Sequence, residues 1–319
     1  MRRANSSDSE WIGRTSIPIP PFRWDVSKRE HLGRLLAGWQ PSFTPEFLLE
    51  LLSCTARVVA FSANGDLYFV GRSPDSLFDF LSGVFASTSW EDRVRPLPVS
   101  LRWGKDPVRR TPAERTLRRY LAGLELAPRQ IAGRERPTVL VDAVVTGRTF
   151  GELVTTWHAW ATEVGIPWEQ VRSKLRLIGI TERTKTSPKT WRWQQHVPWA
   201  VLLPPRSIKN VSVPDWFCEV LASRPKASRS FPPEAWADPT ITLPSRNAET
   251  LAGLREAVFF YETGRAAGTR QLFAGELARA PGMQAAWLRS LVRELRSKHW
   301  DATEYTVVPD DSLPIRADR

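Results

Sequence analysis

The chain has 319 residues, 42% hydrophobic and 25% charged, enough for one large core or two ordinary ones and too apolar for wholesale disorder. Lys plus Arg number 45 against 34 Asp plus Glu, a formal net charge of +11 that suits a polyanionic ligand or partner, or else a solvated basic surface. Cys54 and Cys218 are too few for a disulfide framework or a cysteine-based metal site, and with no apolar leader and no run of about 18 apolar residues a cytoplasmic protein without a membrane span is expected.

Residues 1–25 are polar and then proline-rich, an extended arm that Phe22 and Trp24 would pack on the body. Leu32, Leu35 and Leu36 form one helical face, and Phe47, Leu48, Leu51 and Leu52 another. Arg57 to Phe61 reads as a short strand, Asn64-Gly65 as a turn and Leu67–Val70 as a second strand. Ser73 before Pro74 predicts a capped helix carrying Leu77, Phe78, Phe80, Leu81 and Phe85. Pro98–Leu101 reads as a strand, followed by a partly helical basic stretch with Leu117, Leu121 and Leu124 on one face. Strands are then expected at Thr138–Val141, Leu175–Ile180 and Trp199–Leu203. Helices are expected over Phe150–Val164 and from Pro214.

This alternation predicts an α/β fold, a mostly parallel sheet flanked by helices. The divisions are an N-terminal arm with helices (1–56), the α/β domain (57–222), a proline- and serine-rich linker (223–247) and a C-terminal helical extension (248–319). The extension has apolar stripes at Leu251, Leu254, Val258 and Tyr261 and at Leu288, Leu291, Val292 and Leu295. It offers a protein partner a helical surface. Tyr305–Val308 could add an edge strand.

The stretch Val139 to Thr149 carries the most chemistry. It joins an apolar strand, the acid Asp142, the turn Thr146-Gly147-Arg148-Thr149 and a helix. Ligands of open α/β sheets sit beyond the carboxyl ends of strands, and a helix N-terminus presents N–H groups and a positive dipole end to a phosphate. Gly147 would let the backbone come close, Thr146 and Thr149 would add hydroxyls, Arg148 charge, and Asp142 could accept from ribose hydroxyls.

These residues resemble the type I phosphoribosyltransferases, whose Thr-Gly-x-Thr loop cradles a 5′-phosphate behind a strand ending in two acids. Asp142 matches one acid, Ala143 stands at the other, and the spacing is one residue shorter. The resemblance covers 57 to about 220. It implies a phosphoribosyltransferase-like fold, a phosphoribosyl pyrophosphate or nucleotide ligand, and a magnesium ion arriving with the diphosphate. Asp142 would be the catalytic group. It also implies a pyrophosphate loop after Leu67–Val70, with Arg72 and Ser73 as ligands, and a mobile basic loop over the interval holding Lys105, Arg109 and Arg110. Val213-Pro214-Asp215-Trp216-Phe217 is similar to the family's base site, which makes Trp216 and Phe217 candidates for stacking on a base.

Three functions follow. The first is an enzyme transferring ribose 5-phosphate to or from a nitrogen base. The second is a non-transferring nucleotide sensor, a regulator or a stress or defence effector, which the missing acid and long extensions favour. The third is a nucleic-acid-binding protein, from the net charge and from Arg183, Lys185, Lys189 and Arg192 interleaved with Trp191 and Trp193. The four histidines show no metal-ligand spacing, so no structural metal is expected.

Overall fold

The computed structural model describes residues 23–38, 40–101, 107–183, 192–228 and 243–297. Helix α1 (Pro45–Phe61) starts behind Thr44, whose hydroxyl accepts from the Phe47 N–H at 3.3 Å, with proline in the first turn. It runs straight through Arg57–Phe61, so the strand expected there is corrected. Val58 and Val59 are β-branched, but they continue the helical spacing of Leu51, Leu52 and Thr55, and burial on that face outweighs the weak strand preference.

Then follow β1 (Asp66–Val70), α2 (Asp75–Phe85), β2 (Val94–Leu97), α3 (Pro107–Gly123), α4 (Pro128–Gly133) and β3 (Thr138–Ala143). After them come α5 (Arg148–Glu163), α6 (Trp168–Lys174), β4 (Leu175–Glu182), β5 (Ile208–Val213) and α7 (Asp215–Ser223). Two other expected strands are corrected. Pro98–Leu101 lies just past β2, and Pro198–Leu202 is a 3-10 helix. The fifth strand is Ile208–Val213, with Ile208 in the second core, Val211 and Val213 in the first, and Lys209 and Ser212 exposed.

The five strands form one parallel sheet in the order β2-β1-β3-β4-β5. β2 is an edge, which is where a strand tolerates Pro96. Between β1 and β3 the order reverses direction. The chain leaves β1 toward β2 on one side and β3 toward β4 on the other.

Side chains sort by strand alternation into two cores. Leu67, Phe69, Val139 and Val141 face α1, α2 and α7, while Tyr68, Val70 and Leu140 face α3 and α5. Each fully buried Leu or Phe contributes about 1.5–3 kcal/mol. Helices α8 (Ala248–Arg265), α9 (Ala267–Arg279) and α10 (Ala286–Ser297) join the first core through Phe260, Phe273, Leu277 and the stripe Leu288, Leu291, Val292 and Leu295. The helices expected as an extension are thus an outer layer on the same core as α1 and α2.

Glycine makes the α2–α8 crossing intimate. A Cβ on Gly83 would stand 1.9 Å from the Tyr261 carbonyl oxygen, and one on Gly264 would stand 2.2 Å from that of Phe80. The two backbones touch. Below this crossing Arg23 is buried between Asp75 and Asp79, and Ser228 donates to Asp75 from its backbone (3.2 Å) and hydroxyl (3.3 Å). Burial raises Asp79 to about 6, against the pull of Arg23. No described helix is long and apolar enough to cross a membrane.

Candidate functional site

Two loops leave the carboxyl ends of β1 and β3 side by side, since Phe69 pairs with Val141. One is Gly71-Arg72-Ser73-Pro74 and the other Val144-Val145-Thr146-Gly147. Their helices depart on opposite faces, α2 with the first core and α5 with the second. The strand order reverses between them, and in such sheets a ligand usually sits in a crevice at that point.

The second loop ends in an αL residue, Gly147 (φ +71°), which is the N-cap of α5 and offers no side-chain cap to the first-turn N–H groups. Those donors and the positive dipole end face the crevice end of the sheet. Thr146 and Arg148 are exposed, Thr149 is half-buried, and Val145 is 81% exposed.

Asp142 sits just before this loop, 7% exposed. Burial pushes its carboxyl up to about 8, against hydrogen bonds with the Ala143 backbone and the Thr149 side chain that pull it down. Burial thus favours the protonated form of Asp142 at neutral pH. In the protonated form its O–H can instead donate to the Thr149 oxygen, and the Thr149 O–H can then turn to a ligand acceptor.

Gly147 has a second neighbour that sequence reading missed. A Cβ there would lie 2.3 Å from the Trp193 ring, and one on Gly151 would lie 2.4 Å from the Trp199 Nε1. The two glycines, four apart on α5, form a smooth strip under the paired indoles, whose centroids are 5.8 Å apart. Trp193 is fixed further by donating Nε1–H to Asn210 Oδ1 at 2.9 Å, and Asn210 donates to Gln194 Oε1 at 3.0 Å. Trp193 is thus core and not a surface for stacking a base. Lys185, Lys189 and Trp191 lie outside the described residues, as does Lys105. Of Arg109 and Arg110 only the backbone, in α3, is described.

In the first loop Gly71 (φ +75°) turns the chain, and its N–H donates to Leu97 C=O at 2.9 Å. Arg72 pairs with Glu249 of α8 at 2.9 Å, a contact spanning 177 positions that no local pattern signals. Ser73 is half-buried and does not cap α2. Pro74 is the cap residue, without a side-chain bond, so that expectation is corrected. At the end of β5, Phe217 is fully buried against Phe47 (5.2 Å) and cannot stack on a base; Trp216 is 43% exposed.

The magnesium expected with a diphosphate is also corrected. Among the described residues no group of three or more His, Cys, Asp or Glu side chains could hold a metal ion. Two cavities, of about 780 and 130 Å³, lie between residues 27–40 and α8, and no residue of either loop lines them. No family model, curated protein or solved structure matches the chain.

Proposed function

We propose that the chain holds a 5′-phosphorylated ribose, as a nucleotide or a phosphoribosyl diphosphate, in the crevice between the Gly71–Pro74 and Val144–Gly147 loops, in the manner of the phosphoribosyltransferases it resembles. One observation carries the reading: a glycine-led helix N-terminus stands at the switch point of a parallel sheet, with the buried Asp142 carboxyl bonded to Thr149 beside it. Phosphate oxygens would accept from the first-turn N–H groups and the Thr149 hydroxyl. A neutral Asp142 adds no repulsion to a phosphate dianion and can still bond a ribose hydroxyl.

Holding, as in a nucleotide sensor, is favoured over ribosyl transfer. Ala143 stands where a second acid would serve, and Arg72 is engaged by Glu249 instead of being open to a pyrophosphate.

Thermal unfolding with ribose 5-phosphate and with AMP tests the reading. A ligand at about 100 times its Kd stabilises by roughly 2.7 kcal/mol, a rise of several degrees, which Thr149→Val should abolish. Affinity should also fall up to about tenfold per pH unit above about 8, as Asp142 ionises beside the phosphate, and Asp142→Asn should remove that fall. No shift with either ligand in the wild type overturns the reading.

A further inference from the structure

All five strands are parallel, so all five begin on one edge, opposite the crevice. That edge is strongly basic. The runs entering the strands (62–66, 91–95, 134–138, 172–176 and 205–209) hold nine Lys or Arg and four Asp or Glu. The two runs entering β4 and β5 hold five of these cations and no acid, and Arg172 pairs with Glu169 of α6 at 3.1 Å.

Several of these cations share partners across the entry end of the sheet. A single carboxylate, Asp66, faces Arg134 at 3.1 Å, Arg93 at 3.6 Å and Arg136 at 3.7 Å. The Tyr68 hydroxyl accepts from Arg134 (2.9 Å) and from Arg95 of the neighbouring strand (3.2 Å). Lys174 reaches the Glu135 carbonyl at 3.5 Å, which joins the β3 entry to the β4 entry. Arg176 is held below its ordinary value by burial and then by the charge of Arg206, at the β5 entry, and Arg93 falls to about 10 through burial and then Arg136. Like charges crowded in this way oppose folding, and a polyanion relieves them.

We propose that this amino-terminal edge of the sheet docks the phosphate backbone of a nucleic acid, on a surface separate from the crevice. Four inter-strand gaps of about 4.8 Å give a span of about 19 Å. At about 3.4 Å per phosphate along one strand of a duplex, that is about six base pairs. Tyr68 is buried, and the entry runs carry no tryptophan or phenylalanine, so the contact is to phosphates and independent of base sequence. The proposal does not rest on the crevice binding anything.

The test is fluorescence anisotropy of the full chain with a labelled duplex of about 20 base pairs over a salt series. The slope of log K against log salt is about −0.9 per neutralised phosphate, so about four contacts predict a slope near −4. The variant R136Q/K174Q/R206Q/K209Q should lose more than tenfold in affinity near 0.1 M salt and roughly two or more units of slope. The charge-conserving R136K/R206K should bind like wild type, which separates lost charge from lost fold. R289Q/R293Q/R296Q, on the basic face of α10, should also bind like wild type. The proposal is overturned by a wild type that does not bind the duplex, by a neutralised edge that binds unchanged, by a loss confined to the α10 variant, or by binding to phosphatidylglycerol vesicles in place of the duplex.

Discussion

At Gly147 the backbone has φ +71° and the Trp193 ring fills the space where a side chain would start. Gly165 has a similar φ (+69°) with nothing within 4 Å. The pair separates two costs. Gly165→Ala should lower stability by about 1 kcal/mol, from the left-handed backbone alone. Gly147→Ala should lower it by about 2–4 kcal/mol, because the indole must also move. Chemical denaturation of both variants checks the difference. Asp142 gives a second prediction. Its folded value, about 8, lies above the unfolded value of about 3.9, so between these limits the folded state binds more protons than the unfolded one. Stability should therefore fall as pH rises from about 4 to about 8, by at most about 1.4 kcal/mol per unit from this group. Unfolding free energies of Asp142→Asn across that range should be flatter than those of wild type.

Among elements, the α2–α8 crossing depends on two glycines that pattern reading treats as ordinary helix residues. Gly83→Ala or Gly264→Ala should each destabilise by about 3 kcal/mol or more, since the obstruction is backbone and not a movable side chain. Urea unfolding would show it, and an unchanged midpoint would contradict the close crossing. The elements legible in the sequence were those with one strong period. β3 and β4 are predominantly apolar runs, and α5 and α10 have clear stripes. The strand reading failed at Arg57–Phe61, where β-branched residues continue a helical face. It also failed at Pro198–Leu202, where proline opens a 3-10 turn. β5 was missed although Ile208, Val211 and Val213 are its buried positions, because polar residues interrupt the run. α9 gave no stripe to read. Asp142 and the Gly147 turn were legible at the site because strand, turn and helix are contiguous there. Trp193 at Gly147 and Glu249 at Arg72 were not, because tertiary packing brings them from 46 and 177 positions away.

At the scale of the molecule, parallel strands give the sheet two chemically different ends. The carboxyl ends present a helix N-terminus and a buried acid, and the amino ends gather arginines around Asp66 and Tyr68. α8 lies on α2 through glycine and sends Glu249 to Arg72, so the Gly71–Pro74 loop and the outer layer share one ion pair. Glu249→Gln should accordingly leave the affinity for ribose 5-phosphate unchanged and raise that for phosphoribosyl pyrophosphate severalfold by releasing Arg72, measured by calorimetric titration. Amide chemical shifts of the 15N-labelled chain, titrated with ribose 5-phosphate, test the central claim most directly. Saturable shifts at Gly71, Gly147, Arg148 and Thr149, with the residues around Asp66 and Lys174 unmoved, are the predicted result. Absence of shifts at Gly147–Thr149, or shifts confined to the basic edge, would contradict it.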